Sequence, residues 1–185
     1  MPEIVVVGFR DNIHRASGVL DELRVLDDKW ILDLADAAAI HRDLDGVVAM
    51  DQCYQPTGRR TGEWGGTLGL LLGASLSIPY LRDGSGEVAD GVIIAAGLGR
   101  VGIAGVEASF WADLLGIPVE FFERATELAL PGDSTIYAVL EALDSAMVSA
   151  RFQRYGGSVL QLSLNWEQQT KIERLLADSG SFYAR

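Results

Sequence analysis

The chain contains one cysteine, Cys53, and two histidines, His14 and His41. A lone cysteine excludes an internal disulfide and any cysteine-built metal cluster. Cys53 is expected to line a strand as a small hydrophobe. Scarce cysteine also fits a reducing, cytoplasmic setting. The histidines stand in no ligand spacing such as His-Glu-x-x-His, so no metal or haem is expected. Positive charge is scarce as well: 15 Lys and Arg face 26 Asp and Glu, a formal net charge of -11. Such a balance repels phosphate backbones and argues against a nucleic-acid partner. Arg59 and Arg60 form the only adjacent basic pair and read as solvated loop charges or an interfacial anchor. Aromatics supply only 8% of residues against 49% hydrophobic, so the core is mostly Ala, Val, Leu and Ile. The N-terminus, Met1-Pro2-Glu3-Ile4-Val5-Val6-Val7, has no basic region, and its apolar run is too short for a signal peptide.

Glycine is what the chain has in abundance, at 21 residues. In a first apolar arm Gly65, Gly69, Gly73 and Ser77 recur every four residues among Leu68, Leu70, Leu71, Leu72 and Leu76. A second arm has Gly91, Ala95 and Gly99 at the same spacing. Residues four apart share a helix face. Glycine costs a helix about 1 kcal/mol relative to alanine. A glycine stripe therefore signals close backbone packing, either onto the chain's own sheet or between copies as in glycine zippers. The first arm, Trp64 to Tyr80, spans about 17 residues and would rise about 25 Å as a helix. That falls short of a hydrocarbon core of about 30 Å. The second arm has Arg100 well inside it, a position that needs a partner, water or an acidic headgroup. Glu63, Glu87 and Asp90 stand near the arm ends as candidate partners.

On either side of the arms the pattern is strand-helix-strand. Ile4 to Val7 is a β-branched strand, and Asp11 or Asn12 is placed to cap a helix with Ala16, Val19, Leu20, Leu23 and Leu26 inward. A strand over 31–42, the turn Asp43-Leu44-Asp45-Gly46 and a strand over 47–54 follow. Beyond the arms come two short helices around Trp111 and Phe121, and the turn Pro131-Gly132-Asp133. A strand over 134–140, a helix over 144–155 and a strand over 158–164 complete the second unit. A last helix is capped by Asn165. Two such units predict an α+β, ferredoxin-like sheet with helices on one face and an inserted glycine-rich helical hairpin. The organisation expected is a first half over 1–56, the hairpin over 57–106, a second half over 107–180 and a tail over 181–185.

In this order the motifs resemble the DUF1269 family of uncharacterised, predicted membrane proteins. The marks are Ile4-Val5-Val6-Val7-Gly8-Phe9, Ile31-Leu32-Asp33-Leu34-Ala35-Asp36-Ala37 and the glycine-rich arm from Trp64 to Gly73. Leu130-Pro131-Gly132-Asp133-Ser134 and Gly156-Gly157-Ser158-Val159-Leu160 agree as well. The resemblance implies a membrane association and supplies no catalytic residues. Arg100 departs from the purely hydrophobic arms that the family label suggests.

Candidate chemistry is sparse. Asp43-x-Asp45-Gly46 lacks the later ligands of a calcium loop. Gly97-x-Gly99-x-x-Gly102 matches the dinucleotide string but lies inside an apolar segment instead of after a strand. Ser75 and Ser109 have no elbow or neighbouring base. Trp30, Trp64, Trp111 and Trp166 read as core or interface anchors. The expected function is non-enzymatic, with no cofactor: self-association through Gly65, Gly69, Gly73, Ser77, Gly91, Ala95 and Gly99, in solution or at the cytoplasmic membrane. The alternative is a binding protein for a lipid or other apolar small molecule, with Arg100 at an acidic headgroup.

Overall fold

The structure, a computed structural model, describes residues 2–54, 65–76, 82, 88, 91–92, 108–141 and 145–180. Its strands are β1 (Pro2–Phe9), β2 (Leu34–Arg42), β3 (Val48–Tyr54), β4 (Ser134–Glu141) and β5 (Ser158–Ser163). Its helices are α1 (Arg15–Asp28), α2 (Gly65–Leu76), α3 (Ala108–Leu115), α4 (Val119–Glu127), α5 (Ser145–Gln153) and α6 (Trp166–Gly180). One five-stranded sheet runs in the order β3-β2-β4-β1-β5, and every neighbouring pair is antiparallel. The molecule is therefore α+β.

Both faces of the sheet are covered, where one was expected. Every residue of β1 is buried. Val5, Val7 and Phe9 face a layer formed by Ala16, Val19, Leu20 and Leu23 of α1 and Phe152 of α5. Ile4 and Val6 face the opposite layer, formed by α2, α3, α4 and α6. There α2 and α4 touch the sheet, and α3 and α6 pack onto them. The consecutive apolar run Ile4-Val5-Val6-Val7 carries this signal, because a strand buried on both faces does not alternate.

Local differences have local causes. β2 begins at Leu34, not at position 31, because the exit of α1 consumes the preceding residues. The Ile31 and Leu32 N–H groups donate to the Leu26 carbonyl at 3.0 and 3.4 Å, and Trp30 takes φ +57. The turn at 43–46 closes with Gly46 N–H on the Asp43 carbonyl at 3.0 Å. Gly46 there has φ +85, which suits glycine. Between β2 and β3 the register slips at Ala39/Ile40: Ile40 pairs Met50 while Ala39 pairs Gln52. Asp51 is the extra residue of this bulge.

The sheet end at Phe9 is tied by Asp133, which is almost fully buried. Its Oδ1 accepts the Asp11 N–H at 3.0 Å. Its Oδ2 accepts Arg10 Nη1 at 2.9 Å and the Leu130 N–H at 3.2 Å. The turn Leu130-Pro131-Gly132-Asp133 is thus a clamp between β1 and the entry to β4.

Candidate functional site

α2 carries the described part of the glycine stripe. Leu68, Leu70, Leu71 and Leu72 are fully buried, and Ala74 and Leu76 nearly so. A helix that is apolar all round belongs in an interior, and α2 occupies one. Gly65 opens the helix, and Gly69 and Gly73 are buried within it.

Gly69 meets Gly91 of the same chain. A Cβ placed on Gly69 would lie 2.0 Å from the Val88 carbonyl oxygen and 2.9 Å from Gly91 Cα. One placed on Gly91 would lie 2.3 Å from the Gly66 carbonyl oxygen and 2.7 Å from Leu70 N. Main chain touches main chain here, and only residues without side chains allow it. Val88 and Val92 beside this contact are buried. A Cβ on Gly66 would meet Leu176 of α6 at 3.1 Å, a flexible side-chain end instead of backbone. Ser77, Ala95, Gly99 and Arg100 lie outside the described residues, as do Arg59, Arg60, Glu63, Trp64, Glu87, Asp90 and the string at 97–102.

Beneath α2 the layer contains a few polar groups. The Tyr137 side chain on β4 is fully buried, and burial raises its phenol well above the ordinary value. Ser75 Oγ lies close enough to offset part of that shift, yet among the described residues neither hydroxyl has a hydrogen-bond partner. Thr126 Oγ1 donates to the Phe122 carbonyl at 2.9 Å and also contacts that of Ser75.

The remaining described candidates are spread over several parts of the fold. Asp51 bridges His41 Nδ1 at 2.7 Å and Ser17 Oγ at 3.0 Å. The serine gives its proton to the carboxylate, whereas an activated nucleophile would give it to the imidazole. His14 is exposed at the start of α1, and Cys53 is half-buried on β3. Asp43 accepts the Val47 N–H at 2.8 Å and Arg82 Nη2 at 3.2 Å. The Val47 hydrogen bond is the largest cause of a carboxyl held below its ordinary range. Among the described residues no group of three or more His, Cys, Asp or Glu is arranged to hold a metal ion. Trp111 is buried in the core, whereas Trp30 and Trp166 are exposed. Among the described residues no helix is long and apolar enough to cross a membrane.

One grouping escaped the linear reading: Arg15, Arg151, Arg154 and Tyr155 line a single groove on the α1/α5 face. Only the return of α5 beside α1 brings these distant positions together, so no local motif marks them. No family model, curated protein or solved structure matches the chain.

Proposed function

We propose that this protein is a non-enzymatic interaction module: a ferredoxin-like core whose glycine-rich hairpin is a packing device that can also join copies of the chain. The order β5-β1-β4-β2, with α1 and α5 as crossovers, supports the ferredoxin-like reading. β3 is then an addition at the β2 edge. Kinship with the DUF1269 family belongs to the same proposal and rests on motif order.

The observation that carries the proposal is the backbone approach of Gly69 to Gly91. Because α2 is already buried in its own chain, assembly does not proceed by stacking free stripes. It proceeds by exchange. A second arm that closes on its own α2 through Gly69 closes equally on the α2 of a second copy and buries the same atoms. An apolar ligand between hairpin and sheet, with Arg100 at its headgroup, would have to enter a layer in which Leu68, Leu71 and Leu72 are already fully buried.

Light scattering across a hundredfold range of protein concentration tests the exchange. The expected result is a monomer and a dimer with identical circular dichroism that interconvert only through unfolding. A single monomeric species at every concentration and after refolding would confine the hairpin to one chain and remove the self-association.

A further inference from the structure

On the face of the sheet opposite α2, a groove of about 510 Å³ runs between α1 and α5. Its volume is that of a small-molecule site, for which about 300–1,000 Å³ is usual. Its lining combines Arg15, Arg151, Arg154 and Glu22 with Tyr155, Val25 and Leu26. Three guanidinium groups against one carboxylate reverse the sign of a chain whose formal net charge is -11.

Among the described residues none of these three cations joins an ion pair. Arg15 Nη2 makes one long hydrogen bond, 3.4 Å, to the Tyr155 carbonyl, and its guanidinium lies 5.9 Å over the Phe9 ring. The Tyr155 ring is held edge-on against Phe152, centroids 6.2 Å apart. The Tyr155 O–H is a donor at neutral pH, and burial, then Glu22, hold its phenol above the ordinary value.

Gly18 gives an independent sign. It shares a helix face with Arg15, Glu22 and Val25, at spacings of three and four residues. Glycine is a poor residue for a helix interior, and here no packing requires it: a Cβ on Gly18 would meet nothing within 4 Å. Gly18 is exposed on the helix face that also carries the groove residues Arg15, Glu22 and Val25.

We propose that this groove binds a small phosphate-bearing molecule, with the phosphate among Arg15, Arg151 and Arg154 and an apolar portion over Val25 and Leu26. Guanidinium forks match phosphate oxygens in pairs, and three of them suit a dianion better than a single carboxylate. A soluble phosphate ester and a phospholipid headgroup present the same chemistry. The site is independent of the hairpin on the other face.

Titration calorimetry with phenyl phosphate and flotation with phosphatidylcholine vesicles, with and without phosphatidic acid, test the proposal on the full chain. The variants are Arg151→Gln with Arg154→Gln, and Gly18→Trp, which sets a bulky ring on the α1 face between Arg15 and Glu22. Thermal melts of each confirm the fold. Saturable phenyl phosphate binding that weakens about tenfold or more in both variants supports a soluble ester. Flotation with phosphatidic acid alone, lost in both variants, supports a lipid source. Binding of neither probe, or binding that both folded variants retain unchanged, overturns the proposal.

Discussion

Two helical glycines, Gly18 and Gly69, answer opposite questions. Gly69 sits where a Cβ would fall 2.0 Å from the Val88 carbonyl oxygen, so an alanine there must push backbone aside. Gly69→Ala is expected to destabilise by about 2–3 kcal/mol, within the range for overpacking a filled interior. Gly18→Ala adds a methyl group to open space and removes glycine's helix penalty, a gain of about 1 kcal/mol. Urea midpoints at constant slope measure both changes. A neutral Gly69→Ala would mean that the two arms do not touch through their backbones. The period of four made Gly69 and Gly73 legible as a packing face. It carried no information about which surface that face meets, because an arm of the same chain and one of another copy have the same atoms. Gly18 has no period to mark it. Its meaning arises only when α5 returns beside α1.

Helix starts show the same division between near and far causes. α6 begins with a reciprocal pair: Gln168 N–H donates to Asn165 Oδ1 at 2.9 Å, and Asn165 N–H donates to Gln168 Oε1 at 2.9 Å. This is a capping box written within four consecutive residues, and Asn165 was readable as its cap. α1 is different. Asn12 Oδ1 accepts the His14 N–H at 3.2 Å, ahead of the helix. The buried Ala16 N–H instead donates to Ser134 Oγ of β4 at 3.1 Å. No pattern around position 12 announces a serine in a later strand. The two caps should respond differently. Asn165→Ala frees a single N–H, that of Gln168 in the first turn, while its own N–H keeps Gln168 Oε1, and should cost about 1 kcal/mol. Ser134→Ala strands a buried donor and should cost about 1–3 kcal/mol. Thermal melts that gave Asn165→Ala the larger loss would contradict the distant cap.

At the scale of the whole molecule, a sheet covered on both faces places its tyrosines in separate layers. Tyr137 stands in the α2 layer, and Tyr54 packs against the α1 layer. Tyr54 donates to Asp27 Oδ2 at 2.8 Å. Burial first, and then this bond to Asp27, raise its phenol from 10.0 to about 12. The sign follows from proton uptake. Between pH 10 and about 12 the unfolded chain releases a phenolic proton that the folded chain keeps. Stability is therefore fully present below pH 10 and declines as pH rises towards the folded value. Tyr137 shifts in the same direction, so both tyrosines add to the same alkaline loss of stability. Urea midpoints between pH 8 and 11.5 should be level to about pH 10 and then fall. Tyr54→Phe removes one titrating group and should make the fall shallower without abolishing it. A variant that kept the full slope would show that Tyr54 ionises as freely in the folded chain as in the unfolded one. Its hydrogen bond to Asp27, which joins β3 to the end of α1, would then not hold in solution.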